Sequence, residues 1–348
     1  MMVDSVVPPM GEGTRQAAIA SREIASVITY SPAYTLVPTY ACFNRCSYCN
    51  FRVEPGMDAG LALDEAERIL RSLLSAAPPV VEILLLSGEV HPQSPQRSAW
   101  FERLVQLAEL ALSLGFLPHT NAGILTRSEM QQLKAVNVSM GLMLEQLTPT
   151  LLETVHRHAP SKFPAVRLQQ LTWAGELQIP FTTGLLLGIG ENAADRIESL
   201  HAIATLHQQF GHIQEVILQP YSPGERDLWS NPAFSPVQLV ELVAIARDIL
   251  PADVAIQIPP NLMQSPDILL ACLEAGARDL GGLGPKDEVN PDYPHPDPHQ
   301  LQALLAPSGW SLQPRLPIYP QFDDWLTLPL REAVQQWRSR LTPDGSLD

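Results

Sequence analysis

The chain has 348 residues, 45% of them hydrophobic, so it can bury the core of one large domain or of two small ones. Its formal charge of −15, from 37 acidic and 22 basic residues, argues against nucleic acid or an anionic membrane surface as a partner. Three of the four cysteines are clustered, which is unlike a disulfide framework and favours a reducing compartment. Because no signal-like leader or membrane-length apolar stretch is visible, we expect a cytoplasmic protein.

Short β-rich segments alternate along the chain with longer amphipathic ones. Residues 1–27 form a predicted leader, in which Thr14–Ile24 has the pattern of a short helix. The predicted strands are Tyr34–Pro38, Val80–Leu86, Phe116–Asn121, Asn137–Leu144, Phe181–Leu187, Ile213–Gln219, Val254–Ile258 and Arg278–Gly281. The predicted helices are Leu63–Ala76, Ser98–Leu114, Arg127–Ala135, Lys162–Leu177, Ala193–Phe210, Pro236–Leu250 and Pro266–Ala275.

This alternation predicts an α/β fold, a (β/α)8 barrel of the TIM type over residues 28–284. Residues 285–348 include two proline-rich stretches. We expect them to form an irregular C-terminal cap that packs on the barrel and helps to close the substrate site. In such barrels the functional residues lie where the strands end, because the loops there vary while the strands hold them in place.

The strongest chemical signal is the segment CFNRCSYC, which places thiols at Cys42, Cys46 and Cys49 directly after the first predicted strand. Three thiolates can ligate a 4Fe–4S cluster and leave one iron open for a substrate or cofactor. Two alternatives stay open: a structural zinc site, which would need a fourth ligand, and three ordinary core cysteines. The distant Cys272 lies among leucines, and we expect it to be a buried, inert thiol.

Polar residues gather at the predicted strand ends. Gly88 and Glu89 follow the second strand, Asn121 ends the third, Glu145 follows the fourth, and Thr183 lies in the fifth. Each has a plainer interpretation, since Gly88 suits a tight turn, Glu89 a helix cap and Glu145 a surface position.

Two further candidates lie in and beside the fifth predicted unit. Arg167 belongs to an amphipathic helix, so a solvated helix face is its plainer interpretation. The run Gly184–Glu191 is rich in glycine, but its spacing is not that of a dinucleotide-binding loop, and a strand that ends in a turn explains it as well.

The cysteine spacing, with Tyr48 just before the last cysteine, resembles the signature of the radical S-adenosylmethionine (SAM) superfamily. The resemblance implies a radical SAM barrel in which Cys42, Cys46 and Cys49 hold a 4Fe–4S cluster whose open iron binds SAM. It also implies roles for residues at the strand ends. Gly88, Glu89 and Glu145 would contact the SAM ammonium or ribose, Arg167 its carboxylate and Ile189 its adenine, with Tyr48, Asn121 and Thr183 as further SAM contacts.

Several longer phrases, among them LLLSGEVHPQSPQR, LPHTNAGILT and IPFTTGLLLGIGE, narrow this resemblance. In the same order they are similar to the ammonia-releasing radical SAM subunit of the deazaflavin synthases. The family implies formation of 7,8-didemethyl-8-hydroxy-5-deazariboflavin from 5-amino-5-(4-hydroxybenzyl)-6-(D-ribitylimino)-5,6-dihydrouracil, an adduct of tyrosine and ribitylaminouracil. Its expected partners are the sister subunit that makes this adduct and a reducing flavodoxin or ferredoxin.

Other functions remain open at this point. The sister subunit and futalosine-type enzymes carry the same cluster, although we expect Gly-Gly in them where this chain has Gly88-Glu89. A sulfur-inserting enzyme similar to biotin synthase would need further cysteines for a second cluster. A non-enzymatic metal-binding module would have no need of polar residues at the strand ends. Asp279 and Asn290 are further candidates for substrate contacts.

Overall fold

Parallel strands close into a barrel in the computed structural model, which describes residues 27–229 and 231–341. The barrel strands are β1 (Val27–Leu36), β2 (Glu82–Leu86), β3 (Leu117–Asn121), β4 (Ser139–Gly141), β5 (Phe181–Leu187), β6 (Ile213–Pro220), β7 (Ala255–Gln257) and β8 (Asp279–Leu283). Because β1 pairs in parallel with both β2 and β8, the sheet has no open edge between them. The predicted (β/α)8 barrel is confirmed.

Helices surround the barrel in the order that the sequence predicts, with three additions. They are α1 (Leu63–Leu73), α2 (Arg97–Ser113), α3 (Arg127–Lys134), α4 (Thr150–Glu153), α5 (Pro164–Glu176), α6 (Ala193–Phe210), α7 (Pro236–Ile249), α8 (Pro266–Glu274), α9 (Pro298–Leu305) and α10 (Leu328–Arg340). The additions are α4, α9 and α10. In the part of the chain that the structure describes, no helix is long and apolar enough to cross a membrane.

Local chemistry fixes the ends of α6, whose bounds agree with the prediction. The Asn192 side chain accepts hydrogen bonds from the N–H groups of Ala194 and Asp195, and the Asp195 carboxylate accepts one from the Asn192 N–H. These bonds satisfy donors that a helix start leaves unpaired. The helix ends at Gly211, whose φ of 65° lies in the left-handed region where glycine has no steric penalty.

The fifth strand lies at the centre of the core. All seven residues of β5 are buried, and its sequence, FTTGLLL, has no charged residue and no alternation of apolar with polar side chains, as in a parallel strand covered on both faces. On the outer side, Leu185 and Leu187 belong to the same apolar cluster as Leu200 and Ile203 of α6. Burial of such leucine and isoleucine side chains stabilises the fold by about 1.5–3 kcal/mol each.

The first strand is longer than its sequence predicts. It begins at Val27, within the predicted leader, whereas the prediction was Tyr34–Pro38. Pro32 argues against a central strand because it has no N–H to donate, but here its carbonyl accepts a hydrogen bond from the Val81 N–H at 2.9 Å. The predicted helix Thr14–Ile24 lies outside the described residues.

The C-terminal segment contains a ninth strand that the sequence analysis missed. Strand β9 (Ser311–Pro314) pairs in parallel with Val27–Tyr30 of β1. The prediction of an irregular tail is therefore wrong at this strand and at α9 and α10. The pairing partner of β9 lies at the other end of the chain, so no local pattern marks it.

The last helix closes the end of the barrel at which the strands begin. Leu330 and Val334 of α10 pack in one apolar cluster with Val81, Leu117 and Val138, which precede or open β2, β3 and β4. Most of residues 311–341 therefore lie opposite to the strand ends, although Arg315 and Pro317 also line the cavity inside the barrel. Residues 286–290 and His295 line the same cavity.

We predict that the stability of the barrel depends on this end closure. Leu330→Ala should lower the free energy of unfolding by about 2–5 kcal/mol, because Leu330 is fully buried and its truncation leaves a cavity. Leu328→Ala on the same helix is the matched control, since Leu328 is 68% exposed and should change stability by no more than about 0.5 kcal/mol. Denaturant unfolding measures both, and equal losses would contradict the packing described.

We also predict that acid destabilises the fold through buried histidines. Burial lowers the pKa of His212 from 6.5 to about 4, and those of His119 and His156 to about 3. Between about pH 6.5 and 4 the unfolded chain binds protons at these histidines that the folded chain does not, so stability falls as the pH falls. Glu215 has the opposite effect. Burial raises its pKa from 4.5 to about 7, so between these values the folded chain binds the extra proton and stability rises as the pH falls.

The measurement is denaturant unfolding at a series of pH values. His212→Phe should reduce the slope of stability against pH in this range by up to about 1.4 kcal/mol per pH unit. The exposed His201, replaced as His201→Phe, serves as the control. An unchanged slope in His212→Phe would exclude His212 as a source of the acid sensitivity.

Candidate active site

The cysteine loop follows β1 and is held at both ends by backbone hydrogen bonds. Cys42 donates to the Val53 carbonyl, and the Val53 N–H donates to Tyr40, so the loop returns to its starting point. In between, Arg45 donates to the carbonyl of His158 at 2.8 Å, and Ser47 donates to that of Val155 at 3.1 Å. The loop is irregular in itself, and its conformation depends on these partners beyond β4.

The three thiols of the loop are free and lie near one another. Cys46 is buried, Cys42 and Cys49 are partly buried, and no disulfide joins them. Burial raises the pKa of Cys46 to about 12; the nearby Lys162 lowers it, whereas Cys49 and Cys42 add to the rise. Three soft ligands on one loop fit an iron–sulfur cluster.

A single metal ion has less support. Within residues 27–229 and 231–341, no three His, Cys, Asp or Glu side chains converge closely enough to hold one ion. The zinc alternative requires such convergence, because every ligand must reach the same ion. Cys272 is fully buried among leucines of α8, as predicted.

The backbone of the second strand end lies against the cysteine loop. Gly88 donates a hydrogen bond to the Thr39 carbonyl at 2.7 Å. A Cβ atom at Gly88 would lie 2.3 Å from the Ala41 carbonyl oxygen, which is a steric clash with backbone. Glycine is thus required at this position for close approach of the two loops, not merely for a turn.

Glu89 and Arg167 form a buried ion pair that is hydrogen-bonded to the cysteine loop. Arg167 is 1% exposed, and its Nη2 donates to Oε1 of Glu89 at 3.0 Å. The Glu89 carbonyl accepts from the Phe43 N–H at 3.0 Å. Arg167 Nε donates to the Ser161 carbonyl at 3.1 Å, and the Asn44 side chain exchanges two hydrogen bonds with Ser161.

These bonds form a closed ring that begins and ends in the cysteine loop. We call it the Glu89–Arg167 ring; its members are Phe43, Asn44, Glu89, Ser161 and Arg167. The solvated helix face considered for Arg167 is therefore wrong, since its side chain is 2% exposed and points into the protein.

A second buried ion pair lies beside the thiols. Lys162 Nζ donates to Oε1 of Glu145 at 2.5 Å, and both side chains are largely buried. Burial alone would raise the pKa of Glu145, but Lys162 and Arg167 outweigh it and the pKa is lowered. Glu145 has a φ of 66°, which is rare for a residue with a side chain and indicates a constrained strand end. The surface alternative for Glu145 is wrong.

Two predicted SAM contacts lie in an apolar cluster next to the loop. Tyr48 packs against the cluster that contains Ile189, and its hydroxyl group lies 2.9 Å from Nε2 of His156. The Ile189 and Gly188 N–H groups donate to the two carboxylate oxygens of Glu191 at 2.9 and 2.7 Å. The turn after β5 is thus held by Glu191, and Ile189 is fully buried in the apolar cluster.

The other two candidates face different surroundings. Asn121 lines the cavity inside the barrel. Thr183 is fully buried, and its hydroxyl oxygen has no hydrogen-bond partner among the described residues.

Tertiary structure brings together residues that the sequence analysis did not connect. Lys162 was predicted only as the start of a helix, yet it pairs with Glu145 and affects Cys46. Asn44 lies inside the CFNRCSYC segment but received no role. Neither residue has a local pattern that distinguishes it from an ordinary polar residue, because its partners lie far away in the chain.

We predict that the Glu89–Arg167 pair is costly to break and that surface pairs are not. Arg167→Met should lower the free energy of unfolding by about 3–5 kcal/mol, because it leaves a carboxylate buried without its partner. The double variant Glu89→Gln/Arg167→Met should recover part of the loss. Arg127→Met breaks the exposed pair with Glu176 and should cost no more than about 1 kcal/mol. Similar losses in Arg167→Met and Arg127→Met would contradict this assignment.

Comparison with known proteins places these features in a family. The profile of the Radical SAM superfamily matches residues 36–203, which include the cysteine loop and both buried ion pairs. The 7,8-didemethyl-8-hydroxy-5-deazariboflavin synthase of Trichormus variabilis is 65% identical over 312 residues, 90% of this chain and 91% of that protein. The synthase of the same name from Trichodesmium erythraeum is 60% identical over 319 residues, 92% of this chain and 99% of that protein.

Solved structures share the fold at much lower identity. The FeFe-hydrogenase maturase HydG from Carboxydothermus hydrogenoformans superposes with a TM-score of 0.67 at 18% identity, covering 97% of this chain and 85% of that one. Methylornithine synthase (PylB) gives a TM-score of 0.66 at 17% identity, covering 92% and 94%. On the extent and identity of the sequence matches, this chain belongs to the radical SAM superfamily and, within it, to the 7,8-didemethyl-8-hydroxy-5-deazariboflavin synthase family.

Proposed function

We propose that this protein is a radical SAM lyase that forms 7,8-didemethyl-8-hydroxy-5-deazariboflavin. Its substrate would be 5-amino-5-(4-hydroxybenzyl)-6-(D-ribitylimino)-5,6-dihydrouracil, and ammonia would be released as the ring closes. The observation that carries the proposal is the 65% identity, over 90% of the chain, to a curated protein of that name. The same residues fold into a barrel that places the cysteine loop at the strand ends, where barrel enzymes have their active sites.

Cys42, Cys46 and Cys49 are the proposed ligands of the 4Fe–4S cluster. The donor set fits, because all three thiols are free and lie on one irregular loop. When bound there, the cluster and SAM would supply the radical chemistry of hydrogen-atom abstraction. The Glu89–Arg167 ring holds the loop in place, so that the ligands are positioned by groups on β2 and α5 as well as by the loop itself.

The buried charges beside the thiols suit the methionyl end of SAM, which carries both an ammonium and a carboxylate group. Glu89 and Glu145 offer carboxylate oxygens to the ammonium, and Lys162 and Arg167 offer N–H groups to the carboxylate. Arg167 has partners for three of its five N–H groups, namely Glu89, Met143 and Ser161, and so retains donors. Because both signs are buried together, a zwitterion fits here better than a simple anion or cation.

The remaining predicted contacts have supporting roles in this proposal. Ile189 gives a buried apolar surface for the adenine ring, and Tyr48 adjoins it. Gly88 keeps the backbone at the second strand end free of a side chain, close to Ala41. Asn121 offers a polar group to the cavity inside the barrel. Thr183 is not among the residues that line this cavity and shares a face of β5 with Leu185. The protein thus binds and orients SAM and the substrate and excludes water, while the cofactor provides the reactivity.

Two protein partners follow from the proposed reaction. The sister synthase subunit would supply the tyrosine–ribitylaminouracil adduct. A flavodoxin or ferredoxin would supply the electron that reduces the cluster, since no residue of the chain is a one-electron donor of sufficiently low potential.

The proposed function predicts that loss of one cluster ligand abolishes both products. With reconstituted, reduced protein, SAM and the adduct, wild type should form 5′-deoxyadenosine and fluorescent deazaflavin together, as followed by chromatography. Cys46→Ala should form neither and should bind less iron. Cys272→Ala is the matched control, because it also removes a buried cysteine but leaves the loop intact, and it should retain both products.

The possible results separate the alternatives. Deoxyadenosine without deazaflavin would mean that the radical chemistry is right and the substrate is wrong. Turnover with tyrosine and ribitylaminouracil in place of the adduct would assign the chain to the sister activity. An intact cluster without either product would contradict the proposed enzyme.

A further inference from the structure

The cavity inside the barrel ends in a polar floor, far from the cysteine loop. Its lining there includes the side chains of Glu82, His119, Gln214, Glu215 and Arg315. Glu82, Gln214 and Glu215 lie at or near the starts of their strands, whereas the thiols lie beyond a strand end. All of these side chains are buried except that of Arg315, which is 11% exposed, and the proposed SAM contacts do not use them.

The single arginine of this floor is already committed to protein partners. Arg315 Nε and Nη2 donate to the two carboxylate oxygens of Asp279 at 2.6 and 2.8 Å. Its Nη2 also pairs with Glu215, and its Nη1 donates to the Leu316 carbonyl at 3.0 Å. An arginine bound in this way to two carboxylates cannot serve as a clamp for a phosphate or carboxylate ligand.

The floor instead presents hydrogen-bond acceptors. Gln214 is 1% exposed; its Nε2 donates to the Pro317 carbonyl at 3.1 Å, whereas its Oε1 has no partner among the described residues. Because Ser139 has one proton and donates it to Pro317, Nδ1 of His119 must donate to Ser139, and Nε2 is left as an acceptor. Gly141 leaves room at this atom, since a Cβ there would lie 2.9 Å from Nε2.

The charges of the floor also favour a neutral ligand that donates hydrogen bonds. Three carboxyl groups, those of Glu82, Glu215 and Asp279, surround one guanidinium; burial raises the pKa of Glu82 and raises that of Glu215 to about 7, so the negative charge here is largest above neutral pH. His119 adds no positive charge near neutral pH, because burial lowers its pKa to about 3. A negatively charged group entering this low-dielectric site would be repelled, while a neutral group with several O–H donors would find acceptors.

We propose that this floor binds the ribityl chain of the substrate and selects the unphosphorylated chain. The inference rests on the proposed function, which supplies a substrate with a neutral polyhydroxylated arm. The hydroxyl groups of that arm donate to Gln214, His119 and the carboxylates, and the ring system lies towards the strand ends. Selection against a terminal phosphate comes from the excess of carboxylates over free cations.

The test measures binding directly, so that it does not depend on turnover. Holoenzyme is titrated by calorimetry with 5-amino-6-ribitylaminouracil and with its 5′-phosphate. Wild type should bind the unphosphorylated compound at least about tenfold more tightly. In Glu82→Gln/Glu215→Gln that preference should fall about tenfold, chiefly through tighter binding of the phosphate. Asp253→Asn, an exposed acid outside the barrel, should keep the wild-type preference.

A second variant guards against misfolding of the first. Gln214→Met removes the unpaired acceptor and should weaken binding of the ribityl compound about tenfold. It should leave unchanged the binding of an analogue that carries methylamino in place of the ribitylamino group. Thermal unfolding of each variant shows whether it is folded.

Three results would overturn the inference. They are equal affinities of wild type for the two ribityl compounds, no binding of either, or a preference that the double variant retains. If the double variant keeps the wild-type preference for the unphosphorylated compound but forms less deazaflavin, the two acids interact instead with the substrate amine that leaves as ammonia. Failure of the proposed function is distinct from these, because it appears as absence of deazaflavin in wild type with an intact cluster.

Discussion

The candidate active site depends on one buried ion pair, that of Glu89 and Arg167. Taking two charges out of water costs several kcal/mol for each ion, and the cost is offset only when the remaining donors and acceptors are also satisfied. Here the two residues satisfy one another and bind the backbone at Phe43 and Ser161. The same bonds position the cysteine loop, because that loop has no regular structure of its own. The pair is therefore a positioning device as much as a source of charge.

The two ends of the barrel have different tasks. At the strand ends, loops with little internal structure carry the thiols and the buried charges. At the strand starts, β9 and α10 close the barrel with an apolar cluster that includes Leu330 and Leu117. The floor of the cavity lies at this end, and Arg315, just after β9, anchors it through Asp279. One segment of the tail closes the core and also sets the polarity of the cavity.

The sequence predictions are accurate where the interactions are local in the chain and fail where the partners are distant. Helix α6 was predicted with the observed bounds, because Asn192, Asp195 and Gly211 fix its ends locally. Strand β9 was missed, since its only signal is a partner at the opposite end of the chain. Arg167 was identified as a candidate, but its burial was not, because an amphipathic helix does not reveal which polar residue points inwards. Lys162 was missed because it lies in a short turn just before that helix, where nothing local marks its pairing with Glu145.

The sequence by itself determined the parts whose chemistry is local. These are the three cysteines at fixed spacing, the alternation of strands and helices, and the family to which the phrases at the strand ends are similar. Only the tertiary structure decided which charges face one another: Lys162 with Glu145 beside Cys46, and Arg315 with Asp279 at the cavity floor. The physical reason is that a buried charge is stable only with a partner, and closure of the barrel supplies partners from distant parts of the chain.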